Sequence, residues 1–336
     1  MNVNKIITQK IIDRLQEAER TGEKFYWVKP FAKGCPKSFA VAYDTREEYK
    51  GINRVLLNFG KASGKEFLTY TKIQNLSKSE KKSYHLRKGC HGHMVVYYNV
   101  VPVLDAEGEQ KLDTKTGEPM TKTILRYYTV FDREDVVNDK GVNLPTKFPI
   151  QQFDHSSEEV QRSLAMAKFN AIVDTYCKKY GITIETIHHG MEAYFMPSKN
   201  LIRMPSKENF PNLSSYMATF FHELCHSTMI PLDRQAEEQS MKTYSFEELV
   251  AELGSAILMA ELGMPTEQTE SNNLAYLQGW SKYLSEQSNV LVRAASQAEK
   301  ASELIMSEFE LQLAQIQGKQ KQEHKDVPNV DREQER

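Results

Sequence analysis

Four cysteines in 336 residues (Cys35, Cys90, Cys177 and Cys225) include no close pair and no Cys-x-x-Cys. That scarcity argues against a disulfide scaffold and a cysteine-based zinc site, and it fits a reducing, cytoplasmic compartment. Long apolar runs are also missing: none approaches the ~18 residues a membrane-spanning helix needs. The opening MNVNKIITQKIIDRLQEAER carries a charge every few residues, so neither a signal peptide nor an anchor is expected there, and no membrane partner. No internal repeat is visible. What remains is ordinary globular composition, 40% hydrophobic and 26% charged, in a chain long enough for about two domains of roughly 150 residues each.

The net charge of -2 conceals an asymmetry. Residues 1–150 hold 26 Lys and Arg against 18 Asp and Glu, a net of +8; residues 151–336 hold 17 against 27, a net of -10. Between Lys50 and Val100, ten basic side chains face only Glu66 and Glu80. A basic half joined to an acidic one implies two jobs, the basic one suited to a polyanion.

Ile6, Ile7, Ile11, Ile12 and Leu15 recur at helical spacing, so the chain opens with an amphipathic helix. Between Lys24 and Val137 short β-branched and aromatic runs (FYWV, FAVAY, RVLL, HMVVYYNVVPVL, TILRYYTVF) alternate with turn residues and read as strands, with one helix near Tyr70–Leu76. The polar stretch 105–122 reads as a long hairpin tip. The predicted fold class is α+β: an antiparallel-sheet domain with a leading helix over 1–150, then a mainly helical domain with a small sheet over 151–316, and a disordered tail over 317–336. Helices are expected at 157–180, 214–229, 246–262, 273–288 and 290–314, with strands at 182–187 and 193–204, the latter broken by a turn at Pro197–Asn200.

His222-Glu223-Leu224-Cys225-His226 is the most informative pentapeptide. On a helix the two imidazoles lie one turn apart on one face, able to share a zinc ion, with Glu223 beside them as general base toward a water on that ion. Met217, Phe220, Phe221, Leu224, Cys225 and Thr228 form an apolar stripe at helical spacing, and the two histidines flank it. Cys225, inside that stripe, reads as a packing residue. A third ligand is expected from Ser245-Phe246-Glu247-Glu248-Leu249-Val250-Ala251-Glu252. Glu248 is favoured and Glu247 is the fallback, because Ser245-x-x-Glu248 is also a capping-box pattern and a glutamate committed to the cap cannot bind metal. Glu252, one turn further, either supports a ligand histidine or is simply solvated. His188, His189 and Tyr194 are weaker candidates, more easily read as surface and strand residues.

In the basic half, cations and aromatics interleave from Tyr49 to Tyr98, a mixture suited to single-stranded nucleic acid, where phosphates meet Lys and Arg and bases stack on rings. Lys50, Arg54, Tyr70, Lys72, Arg87 and Lys88 are the candidate contacts. The alternative is that the strand aromatics face the core and the lysines only keep the surface soluble.

Taken together, these residues resemble the ArdC-type antirestriction proteins of plasmids and other mobile elements, over nearly the whole chain from about Ile6 to about Leu304. The matching pieces in the first half are Tyr49-Lys50-Gly51-Ile52-Asn53, Phe67-Leu68-Thr69-Tyr70, Leu86-Arg87-Lys88-Gly89 with Val95-Val96-Tyr97, and Arg126-Tyr127-Tyr128-Thr129-Val130-Phe131. In the second they are Ala193-Tyr194-Phe195 with Pro197-Ser198, Ile202-Arg203-Met204-Pro205, the HELCH pentapeptide, and Glu247 through Gly254. Cys90-His91 and Ser227-Thr228 depart from the family pattern. The resemblance implies a single-stranded-DNA-binding domain followed by a zincin-like metallopeptidase domain, zinc held by His222, His226 and a glutamate of the downstream helix, and a role in shielding incoming DNA from restriction. Three readings follow: an antirestriction protein that binds single-stranded (or duplex) DNA and cleaves an unknown protein substrate, a non-proteolytic DNA shield with a structural zincin module, and a single-strand-dependent protease acting on DNA-bound proteins. A primase is disfavoured because the basic half lacks a cluster of acidic metal ligands.

Overall fold

Helix α1 (Val3–Thr21) forms where Ile7, Ile11, Ile12, Leu15 and Ala18 fall on one buried face. Asn2 caps it by accepting from the Asn4 amide, and Gly22, at φ 67°, ends it in the left-handed conformation. The computed structural model describes residues 2–23, 25–28, 39–58, 65–114, 116–147, 158–190, 192–234, 245–264 and 274–323. After α1 come β1 (Val41–Ala42), α2 (Ile52–Asn58), β2 (Glu66–Thr69), α3 (Tyr70–Ser79), β3 (Tyr84–Leu86), β4 (His93–Pro102), β5 (Thr121–Asp132) and β6 (Val136–Asn138). The main sheet has the order β1-β2-β5-β4; it is antiparallel except where β1 runs parallel to β2, so the expected antiparallel sheet is mixed at one edge. A separate antiparallel pair joins β3 to β6.

Two of the expected strands take other forms. Arg54–Leu57 lies within α2, where Ile52, Val55 and Leu56 are buried at helical spacing behind Gly51 at φ 56°; a four-residue apolar run is too short to separate the two periods. Phe25, Trp27 and Val28 are buried but belong to no strand. The long hairpin is present. β4 and β5 pair from His93↔Val130 to Pro102↔Thr121, and beyond Val96 the ribbon leaves the core, exposing Tyr97, Tyr98, Asn99 and Val100.

The second half follows its expected order: α4 (Glu158–Tyr180), β7 (Thr183–Ile187), β8 (Tyr194–Met196), β9 (Leu201–Pro205), α5 (Leu213–Ser227), α6 (Phe246–Glu261), α7 (Leu274–Glu286) and α8 (Val290–Glu323). The small sheet has the order β7-β9-β8, with β7 parallel and β8 antiparallel to β9. Phe169 and Tyr176 of α4, Ile202 of β9, Phe221 and Leu224 of α5 and Ile305 of α8 share one core cluster. The architecture is α+β. Helix α8 continues to Glu323, past its expected end; residues 148–157, which contain the expected domain boundary, and the expected tail beyond 323 lie outside the described residues.

The two halves share a core. Ile7, Ile11 and Leu15 of α1 cluster with Leu249 and Leu253 of α6 and with Leu277, Trp280 and Leu284 of α7. Trp27 meets Trp280 edge to face at 6.0 Å and donates its indole N–H to the Tyr276 hydroxyl at 3.0 Å. A polar latch reinforces this. Glu299 of α8 accepts from the Gly51 amide at 2.9 Å and from Arg54 Nη2 at 2.7 Å and Nε at 3.2 Å. Trp280→Ala should therefore destabilise by roughly 3–5 kcal/mol. It also leaves Trp27 as the only tryptophan of the chain. Urea denaturation followed by Trp27 fluorescence and by helical circular dichroism should show one shared transition at lower urea. A Trp27 transition that keeps the unmodified midpoint would contradict the shared core.

Candidate metal centre

Asn212 starts α5 by accepting from the Ser215 amide at 2.8 Å. The expected apolar stripe is the buried face: Met217, Phe220, Phe221, Leu224, Cys225 and Thr228 are each at most 3% exposed. His222 and His226, beside that stripe, keep 17% and 15% of their side chains accessible, and Glu223 is buried.

Helix α6 supplies the third group. Ser245 caps it, accepting from the Glu248 amide at 3.2 Å. The Glu248 carboxylate instead reaches α5: Oε2 lies 3.3 Å from His222 Nε2 and Oε1 lies 3.5 Å from His226 Nε2. The two Nε2 atoms are 3.1 Å apart. Zinc bonds of about 2.0–2.1 Å at tetrahedral angles set ligand atoms roughly 3.3 Å apart. His222, His226 and Glu248 thus form a donor set that fits one small divalent ion, and among the described residues they are the one group of His, Cys, Asp or Glu so placed.

The electrostatics favour a cation there. Burial alone would lower the His222 pKa, but the Glu248 hydrogen bond and the charges of Glu223 and Glu252 overcome it and raise the pKa to about 9. Glu248 is the mirror case: burial pushes its carboxyl up, and His222 and His226 bring it below the usual range. Glu252 thus lies near His222, on the half-exposed side of α6.

Glu247, the fallback ligand, faces elsewhere. Arg234 grips it with two hydrogen bonds, Nη2 to Oε1 at 2.7 Å and Nε to Oε2 at 3.2 Å. Glu247 Oε1 also lies 3.5 Å from His226 Nδ1, the ring nitrogen turned away from Glu248. Arg234 further donates to the Cys225 carbonyl at 3.0 Å and to Thr228 Oγ1 at 2.7 Å, tying the end of α5 to the start of α6. No spacing pattern signals Arg234. His188 and His189 are exposed and outside this group, and Tyr194 is half-buried on β8 with Arg203 over its ring at 5.3 Å.

Residues 1–131 match the family described as the N-terminal domain of anti-restriction factor ArdC, and residues 171–297 match the zincin-like metallopeptidase family. The fold also resembles the metal-free crystal structure of antirestriction ArdC protein from the R388 plasmid, with a TM-score of 0.62, 26% identity, and coverage of 92% of this chain and 98% of that one. Each half thus resembles its counterpart in ArdC-type proteins. The Mn(II)-bound structure of the same R388 protein aligns with a TM-score of 0.61 at 25% identity, covering 92% of this chain and 98% of that one. A protein named DNA primase TraC from Escherichia coli is 28% identical over 91% of this chain but only 27% of its own length. A second TraC, also from Escherichia coli, is 29% identical over 90% of this chain and 20% of its own length. The chain thus spans about a quarter and a fifth of these two relatives. The uncharacterized protein y4eC of Sinorhizobium fredii is 25% identical over 88% of this chain and 90% of its own.

The region that matches the ArdC N-terminal family disposes the six candidate DNA contacts unequally. Arg54 is a correction: its side chain is 4% exposed, stacked on Phe39 at 3.5 Å and paired with Glu299 and Glu48, so a polyanion cannot reach it. Lys50 is ion-paired to Glu303 and Lys72 to Asp44. Tyr70, Arg87 and Lys88 are at the surface, Arg87 donating to Asn143 Oδ1 at 2.8 Å. The ribbon adds exposed Tyr97, Tyr98, Arg126 and Tyr127.

Helices α5 and α6 carry all the candidate ligands, and they touch at a glycine. A Cβ on Gly254 would lie 2.6 Å from the buried Cys225 Sγ. Burial raises the thiol pKa of Cys225, so it packs and does not react. Gly254→Ala should force the helices apart, costing about 1–3 kcal/mol and weakening divalent-metal binding in a chelator competition. Unchanged affinity would show that the ligand spacing does not depend on this contact.

Proposed function

We propose that this protein binds single-stranded DNA through its N-terminal half and hydrolyses peptide bonds at a zinc centre held by His222, His226 and Glu248, protecting a mobile element by acting on proteins that engage its DNA. The carrying observation is that side chains from α5 and α6 converge on one ion-sized point, all three ligand atoms within 4.8 Å of one another, with buried Glu223 adjoining His222. Two imidazoles and one carboxylate suit zinc, whereas manganese favours more oxygen ligands.

Such an ion supplies Lewis-acid polarisation of a carbonyl and lowers the pKa of water toward 7. The chain's own residues do the rest. Glu223 takes the proton of the attacking water and returns it to the leaving amine. Glu247, clamped by Arg234, holds a carboxylate oxygen 3.5 Å from His226 Nδ1, a placement that favours the tautomer presenting Nε2 to an ion. Strand β8 has β9 on one side only, which leaves an edge along which an extended peptide can pair. On the DNA side, the basic surplus and the exposed rings of Tyr70, Tyr97, Tyr98 and Tyr127 support single strands over duplex, because stacking needs splayed bases.

Glu223→Gln should lower peptide cleavage by about 10²–10⁴-fold, with the zinc content of the purified protein and its affinity for single-stranded DNA retained. His222→Ala should lose the metal as well. Undiminished cleavage by Glu223→Gln would overturn the mechanism. Full protection against restriction by that variant would move protection from proteolysis to occupancy of the DNA.

A further inference from the structure

A cleft of about 670 Å³ opens where the β4–β5 ribbon faces the C-terminal helices, within the roughly 300–1,000 Å³ of small-ligand sites. On one wall stands Tyr98, 55% exposed. On the other, Arg293, Ser296 and Gln297 lie at i, i+3 and i+4 of α8 and share one face. The guanidinium of Arg293 sits over the Phe246 ring, 5.0 Å from its centroid. Arg14, Arg54, Arg133, Arg203 and Arg234 each hold a carboxylate within 4.0 Å, whereas among the described residues none pairs with Arg293. A ring against one side of a guanidinium holds it in place and leaves its N–H groups available to a pair of acceptor oxygens such as those of a phosphate.

We infer that this cleft seats a nucleotide of single-stranded DNA, its phosphate on Arg293, its base against Tyr98, and its polar edge toward Ser296 and Gln297. The inference rests on the single-strand reading above and gives the strand a path. Arg234 forms part of the same wall and holds Glu247, the neighbour of His226. A strand in the cleft therefore passes within two side chains of the metal centre, and a protein riding on it is brought to the peptidase site. None of His222, His226 or Glu248 lines the cleft, which places a scissile peptide elsewhere.

The test is fluorescence anisotropy of the full-length protein with a labelled oligothymidylate across a salt series. Arg293→Gln should weaken binding about ten-fold and make the slope of log K against log salt shallower by about 0.7, one phosphate contact on a single strand. Tyr98→Ala should also weaken binding about ten-fold through lost stacking. Asp233, a carboxylate of the same lining at φ 48°, is suited to asparagine; Asp233→Asn should tighten binding about two-fold by removing a like charge, a gain that misfolding cannot imitate. If the unmodified protein binds and all three variants match it in affinity and slope, the cleft is not the path, though the DNA reading stands. If the unmodified protein does not bind, the DNA reading falls and the inference with it. Variants that keep DNA affinity but lose peptide cleavage would assign the cleft to the protein substrate.

Discussion

Side chains from two helices can meet on one ion only if the helices approach closely at the right turn, and here the approach of α5 to α6 rests on a position without a Cβ. Gly254 faces Cys225, a small thiol in the same turn as His226, and the next residue, Ser255, donates to the Ala218 carbonyl at 2.7 Å. Small side chains at a crossing pull helix axes toward the short end of the usual 8–10 Å range. The reach of Glu248 to both histidines follows from this. A glutamate side chain spans only a few ångströms, so a shift of the helices would take its carboxylate out of reach of the two histidines. Cys225 thus matters to the site through its volume, not its chemistry.

Closeness alone would be unstable, because Glu223, Glu247, Glu248 and Glu252 crowd two half-buried imidazoles. Buried carboxylates without compensation cost several kcal/mol each. The chain answers in two ways. Arg234 takes Glu247 in a bidentate grip and adds a further donor to the Cys225 carbonyl, which already accepts from the Thr228 amide and hydroxyl. The charge on His222 balances Glu248, as the opposite shifts of their pKa values show. A divalent ion does the same work with twice the charge, so the polar shell is poised for a cation whichever one fills it.

How much of this could be read from residue order depends on range in the chain. HELCH is local: its i, i+4 spacing, its apolar stripe and its asparagine cap are all contained in one helix, and the structure keeps them. Glu248 lies twenty-two positions beyond His226, and residue order leaves it open against Glu247, because Ser245-x-x-Glu248 is also a capping box; only the fold shows Ser245 accepting from the Glu248 amide while the carboxylate reaches α5. Glu247 and Arg234 were not separable at all, because their role is a three-body contact between a loop and two helices. Arg54 shows the opposite failure. In the sequence it is one of ten cations in a basic stretch, yet its partner Glu299 lies 245 residues away, and no local pattern separates a cation facing solvent from one facing a distant helix.

That pairing also changes what the charge asymmetry means. A basic half and an acidic half attract each other before either meets a partner, and Lys50 with Glu303 and Arg54 with Glu299 spend part of the opposite surpluses on joining α2 to α8. The cations left over for a polyanion are fewer than the count of +8 implies and are those the fold leaves unpaired. They are accompanied by tyrosines on a ribbon that projects from the core on both faces, beyond the reach of the apolar clusters that bury Val95 and Val96. Rings presented this way serve unstacked bases better than a duplex, whose bases are already stacked on one another. The single-strand preference we propose then rests on where the core ends, and needs no additional basic residue to explain it.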